Sequence, residues 1–180
     1  MPVRVPVAVL VLVLGLTLGV VALGASSAGP PTAGHPRPSA AEGGQPAERY
    51  AVAVLHDWDA RRADAWASGD PAAVSRLYVS GSAAGIADAA LLQRYRARGL
   101  VLTGLRMQVL RARVLVSRPD RLELEVTDRL SAGTAVRAGE AGLGRRLPVD
   151  RPSTRDLVLR RVGGTWLMAG VSSRPGSGRR

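Results

Sequence analysis

Apolar residues recur at spacings of three and four in the first half of the domain and predict three helices. The first, Glu48–Ser68, carries one apolar stripe, which consists of Ala51, Val54, Leu55, Trp58 and Ala65. Its charged residues, among them Asp59 and Arg62, are expected on the solvent side. A second helix starts at Asp70-Pro71, an N-cap followed by the proline of a first turn. A third is predicted to begin with Asp88 as its N-cap.

From Leu100 onward the pattern changes to that of strands. Leu100–Ser117 has a shifting period, which suits one long bent strand or two strands that pivot near Gly104. Arg121–Leu130 alternates strictly, with leucine and valine on one face and charged residues on the other. Thr154–Val162 and Thr165–Val171 are joined by two glycines, the signature of a hairpin turn.

Ala132–Pro152 is rich in glycine and proline and is predicted as a loop, although Thr134–Arg137 could extend the sheet. Three helices followed by four or more antiparallel strands predict an α+β fold with segregated elements. The first helix is expected to cover one face of the sheet, because it carries the large apolar side chain of Trp58.

An apolar run without charge, Val5–Leu23, precedes the domain. Its length favours a membrane anchor, since about 20 apolar residues cross a bilayer, but a cleaved signal peptide stays open, with cutting after Gly24 or Ala28. Arg4 places the N-terminus in the cytoplasm and the domain outside. The predicted divisions are therefore a leader (1–25), a Pro/Gly-rich linker (26–47), the domain (48–172) and a disordered tail (173–180).

The formal net charge is +11, and every basic side chain is arginine. Nucleic-acid binding is disfavoured, because the arginines are scattered in sequence and lack interleaved aromatic residues. Weak attraction to anionic lipids or cell-wall polymers fits the charge better. There is no cysteine, which excludes disulfides and thiol chemistry, and no metal or cofactor is predicted.

The order of several soft motifs resembles the nuclear-transport-factor-2-like superfamily, with its polyketide-cyclase-like and ketosteroid-isomerase-like members, in an exported protein of actinobacterial type. These motifs are AWASGD, PAAVSRLYV, ADAALLQRY and the final LVLRRVGGTWLMAGV, within Tyr50–Val171. The resemblance implies a cone: a curved antiparallel sheet wrapped around the long helix, with a pocket between them. It implies no particular chemistry, since such folds carry many functions.

Asp128 is the sharpest candidate site residue. Alternation places it on the inward face of its strand, where a carboxylate could act as a general base or form an ion pair with an arginine such as Arg62. The ion pair is the favoured interpretation. His56 and Asp57 are neighbours on a helix and do not face each other, so a solvated surface is favoured for them.

Four aromatic residues, Trp58, Tyr78, Tyr95 and Trp166, are candidate pocket-lining residues, with the core as the favoured alternative. Tyr78 or Tyr95 could also donate a hydrogen bond to a carbonyl oxygen, as the resemblance to isomerases implies. Two functions remain open. The favoured one is a non-catalytic binding or assembly module for a protein or a small apolar ligand; the other is an isomerase or cyclase with Asp128 as base. A spacer that holds a partner near the cell wall is a third.

Overall fold

The structure, a computed structural model, describes residues 44–139 and 144–174. Its helices are α1 (Gly44–Ser68), α2 (Pro71–Ser75) and α3 (Ala83–Arg96), and its strands are β1 (Leu100–Arg118), β2 (Arg121–Arg137), β3 (Arg145–Arg146), β4 (Ser153–Val162) and β5 (Thr165–Ser173). The predicted α+β order of helices before an antiparallel sheet is confirmed. The predicted leader and most of the predicted linker lie outside the described residues.

The long helix α1 begins at Gly44, four residues before the predicted start, and ends where Gly69 takes a φ of +67°. Its apolar stripe turns inward, as the spacing predicts. Trp58 is 5% exposed, and its indole Nε1 donates to the carbonyl oxygen of Leu77 at 2.9 Å. This hydrogen bond satisfies the one polar atom of a large buried side chain and ties α1 to the segment after α2.

Two further helices follow, and the sequence predicts the N-cap of α2 correctly but not that of α3. Asp70 caps α2 as expected, since its Oδ1 accepts from the amide of Ala72 at 2.9 Å. The prediction for α3 is wrong. Ser82 is its N-cap, with Oγ accepting from the amide of Gly85 at 3.1 Å, so Asp88 lies inside the helix. Gly85 is required by packing, because a Cβ there would stand 2.7 Å from Tyr78.

The sheet is antiparallel, with the strand order β1-β2-β4-β5 and with β3 paired to β2. β1 is a single strand of 19 residues whose register against β2 shifts between Thr103 and Arg106. Gly104, at a φ of +62°, lies in that irregularity, so one bent strand is formed rather than two. β2 extends to Arg137, and β3 pairs with Thr134 and Ala135 inside the segment predicted as a loop.

The core lies between α1 and the inner face of the sheet. Leu122, Leu124 and Val126 on β2 are fully buried, as the alternation predicts. A short parallel bridge between Tyr78 and Met168 closes part of the edge of β5, where the amide of Val79 donates to the carbonyl of Met168 at 2.9 Å. Within the described ranges, none of the three helices combines the length and the apolar content that crossing a bilayer requires.

Candidate functional site

Helix α1 carries two charged side chains into the interior, contrary to the expectation that they face solvent. Asp59 and Arg62 lie on the same side of the helix as Leu55, Trp58 and Trp66, at spacings of three and four residues. Both are partly buried in the structure. Two charged residues of α1 therefore lie within its apolar stripe.

Arg62 is bound by Asp88 of α3 and not by Asp128, so the predicted pairing of Arg62 with Asp128 is wrong. Its Nε donates to Asp88 Oδ2 at 2.7 Å, and its Nη2 donates to Oδ1 at 2.5 Å. The Tyr78 hydroxyl donates to the same Oδ2 at 2.9 Å, and the Trp66 indole does so at 3.4 Å. Four donors therefore surround a carboxylate that is 2% exposed.

The surroundings keep Arg62 charged and Tyr78 protonated. Burial would lower the pKa of Arg62, but the Asp88 carboxylate outweighs it and leaves the pKa above its ordinary value. The guanidinium also lies 5.5 Å from the ring centroid of Trp66, within cation–π range. Burial raises the pKa of the Tyr78 hydroxyl. Its proton is directed at Asp88, so this candidate donor is engaged within the protein.

Asp128 lies on the inner face of β2, as alternation predicts, and is 3% exposed. Its partner is Arg155 of β4, which is 8% exposed and donates through Nη2 to Asp128 Oδ2. The register explains the contact. Val126 stands opposite Arg155, so Asp128 is its diagonal neighbour, within reach of a long side chain.

This pair does not satisfy all of its own polar atoms. Asp128 Oδ1 and Arg155 Nε are buried and have no hydrogen-bond partner among the residues that the structure describes. Asp59 lies within electrostatic range of both residues, and burial, opposed by the charge of Arg62, raises its pKa to about 6. Burial also raises the pKa of Asp150, which interacts with Arg155. Three carboxyl groups thus face one buried arginine.

Of the four candidate aromatic residues, three belong to the hydrophobic core and Tyr95 packs against it. Trp58 and Tyr78 meet edge to face, with centroids 5.4 Å apart, and Tyr95 stands against Trp66 at 5.9 Å. These contacts belong to the core. Trp166 is part of the same core, and its indole Nε1 donates to the Tyr50 hydroxyl at 3.2 Å.

A shallow groove runs along the edge of the sheet beside the first half of α1. Its lining consists of Glu48, Arg49, Val52, His56, Val109, Leu110, Arg111 and Ala112. Four consecutive residues of β1 contribute, although their side chains alternate in direction, so the groove follows the strand edge. His56 is exposed there, while Asp57 forms an ion pair with Arg61 at 2.9 Å. The two do not form an acid–base couple.

Sequence reasoning missed Asp59, Asp88 and Arg155, although each left a signal. Asp88 is one of four residues at helical spacing with Leu91, Leu92 and Tyr95. Arg155 alternates with Leu157 and Leu159, which points it inward. No group of three or more side chains suited to a metal ion occurs in residues 44–139 and 144–174.

Comparison with known proteins finds similarity of fold only. No protein-family model and no curated protein matches the chain. The intermembrane-space region of chloroplast protein ARC6 is 14% identical, with a TM-score of 0.49 over 70% of this chain and 95% of that one. Aln2 from a Streptomyces species is 15% identical, with a TM-score of 0.46 over 69% of this chain and 90% of that one.

A protein from Novosphingobium aromaticivorans, described as NTF2-like with a cystatin-like fold, is 20% identical, with a TM-score of 0.40 over 71% of this chain and 83% of that one. These three similarities concern the fold alone.

We expect Asp128→Asn to lower the free energy of unfolding, because Arg155 then loses its hydrogen-bonded counter-charge in a buried place. Breaking a buried pair costs about 3–5 kcal/mol, and the lower end is expected because Asp59 and Asp150 still face Arg155. Urea unfolding measures the change. Asp57→Asn is the control, since its exposed pair contributes less than about 1 kcal/mol. An Asp128→Asn chain as stable as wild type would contradict a structural pair.

The raised pKa of Asp59 predicts that its contribution to stability falls as pH rises. Between its unfolded value near 3.8 and its folded value of about 6, the native state holds a proton that the unfolded chain has released. Stability due to Asp59 is therefore full below this window and is lost across it, by at most about 3 kcal/mol. Urea unfolding of wild type and Asp59→Asn at several values from pH 4 to 7 measures this contribution. If the free energies of unfolding of the two chains changed in parallel with pH, the raised pKa of Asp59 would be refuted.

Proposed function

We propose that the chain is an extracytoplasmic domain, held at the membrane by Val5–Leu23, that acts as a non-catalytic binding or assembly module. The observation that carries this proposal is the pairing of the interior charges. Asp88 accepts hydrogen bonds from Arg62 and from the Tyr78 hydroxyl, and Asp128 forms an ion pair with Arg155. A catalytic site needs polar groups that converge on a substrate, whereas these groups converge on each other.

The exposed groove beside α1 supports a binding role. It is open and shallow, and apolar side chains of β1 and α1 are flanked by Arg49 and Arg111. A site of this shape suits a protein segment better than a small molecule, which is normally enclosed by its pocket.

An isomerase or cyclase is the second candidate, and one observation favours it. Asp59 has a pKa of about 6 beside two buried polar atoms that lack partners among the described residues. A carboxyl group whose pKa is raised toward neutral pH is what general-base catalysis requires. In this interpretation the base is Asp59 rather than Asp128, whose charge is engaged by Arg155.

Exchange of the protons next to a carbonyl group separates the two functions without knowledge of the substrate. The full chain in detergent is incubated with cyclohexenone in deuterated buffer, and exchange is followed by NMR. We expect the exchange rate to equal that in buffer alone. An isomerase base would raise this rate about 100-fold or more, so its presence would be detected. Acceleration that Asp59→Asn abolishes and Asp57→Asn preserves would overturn the binding module and establish the catalytic alternative.

Membrane attachment is tested by alkaline carbonate extraction of membranes that contain the full chain. An anchor of the length of Val5–Leu23 predicts that the chain stays in the membrane pellet, because insertion of an apolar helix is not reversed by high pH. Replacing Leu12 and Leu14 with arginine should release it, since charges at the helix centre cost about 2.5–3.5 kcal/mol each. A soluble product that starts near Ala25 or Gly29 would instead identify a cleaved signal peptide.

A further inference from the structure

Five exposed arginines gather at one end of the domain, where α3, β1 and β2 meet. They are Arg94, Arg96, Arg98, Arg137 and Arg146, here called the basic end. The pairing of strands brings them together: Leu100 stands opposite Arg137, and Thr134 stands opposite Arg146. The amide of Ala138 also donates to the carbonyl of Gly99 at 2.9 Å, next to Arg98.

The arginines of the basic end form no ion pair among the described residues, and their neighbours explain why. The segments 89–105, 129–139 and 144–149 contain no acidic residue. Of the acidic residues next to the basic end, Glu140 lies outside the described ranges, and Asp70, beside Gly69, pairs with Arg76 at 3.5 Å. Elsewhere on the sheet some arginines are paired, whereas others, such as Arg118 and Arg160, form no ion pair among the described residues. Arg113 pairs with Glu125 at 3.2 Å, and Arg174 pairs with Asp156 at 2.9 Å.

The basic end is distinguished by the absence of acidic residues from the segments that form it, since exposed arginines without an ion pair also occur elsewhere on the described surface. Five exposed cations without counter-charges repel one another and raise the local potential. Such a surface is stabilised by an anionic partner.

We infer that the basic end docks on anionic phospholipid. Guanidinium groups bind phosphate through two parallel hydrogen bonds, and each basic residue at an anionic surface strengthens binding about fivefold. Lipid is chosen over other polyanions because the chain carries Val5–Leu23, which in the proposed function keeps the domain beside a membrane. The inference rests on that proposed tether.

The tether is long enough for this contact. The basic end lies near the C-terminus of α1, where a Cβ on Gly69 would stand 3.9 Å from the Arg96 side chain. The tether joins the opposite end of α1, whose 25 residues span about 37 Å. At about 3.1 Å per residue, the 18 residues 26–43 that precede α1 would reach roughly 55 Å if extended. The domain can therefore turn its basic end to the bilayer.

A fluorescent label on the full chain tests the inference directly. The sequence has no cysteine, so Ala97→Cys, within the basic end, and Ser117→Cys, near the far end of β1, each provide one labelling site for NBD. The labelled chain is reconstituted into nanodiscs of phosphatidylglycerol with phosphatidylcholine, or of phosphatidylcholine alone. We expect NBD emission to rise only for the label at 97 and only with phosphatidylglycerol. High salt should reverse the rise, because screening shortens the range of the attraction.

Two variants with equal loss of charge decide whether the position of the arginines matters. Arg96→Gln, Arg98→Gln and Arg137→Gln together should abolish the rise, since three contacts of about fivefold amount to roughly 100-fold. The control combines Arg118→Gln, Arg160→Gln and Arg161→Gln, all exposed and at the opposite end of the sheet, and should keep the rise. Equal loss in both variants would overturn the inference, as would a rise in phosphatidylcholine alone.

Failure of the tether and failure of the basic end give different results. If carbonate extraction releases the chain, labelled protein added to preformed vesicles still reports on the basic end. Displacement by soluble inorganic polyphosphate at the same phosphate concentration would indicate a polyphosphate-like polymer and would overturn the assignment to lipid.

Discussion

The packing of α1 against α3, and the alignment of β4 with β2, depend on two arginines that are carried into the interior. Leaving one buried guanidinium without a counter-charge costs several kcal/mol, so each must meet a carboxylate as the chain folds. Arg62 ties α1 to Asp88 of α3, and Arg155 ties β4 to Asp128 of β2. Sliding α1 by one helical turn would move Arg62 about 5 Å and break its two parallel hydrogen bonds. Apolar packing tolerates such slippage more readily than this fork of donors does.

The same arginines show how far the sequence predicts this fold. Periodicity depends on local geometry, so the helices, the hairpin and the inward side of Asp128 follow from spacing alone. Partners depend on register between distant strands. Asp128 meets Arg155 only because Val126 stands opposite Arg155 in β2 and β4. Nothing local in the sequence specifies that alignment.

Asp88 illustrates a different limit. Aspartate is a favoured N-cap, and so is serine, and both occur before the leucines of α3. Ser82 takes the cap, because an earlier start of α3 points Asp88 at Arg62 and Tyr78. Ser82 and Asp88 are equally suited to cap the helix locally. The need for a buried carboxylate beside Arg62 decides between them. The buried charges on α1 were missed for a related reason, since charged residues are solvent-exposed in most helices.

Burial separates the charges of this chain into two groups with different effects. Inside, desolvation makes every charge costly, so arginines and carboxylates occur together and specify the arrangement of α1, α3, β2 and β4. Outside, a charge costs little when unpaired, so five arginines can remain without acidic partners at one end. The interior of the domain is thus electrically self-contained apart from Asp59 and the unpaired atoms beside it. The charges that remain available to attract a partner therefore lie on the surface, where a binding module needs them.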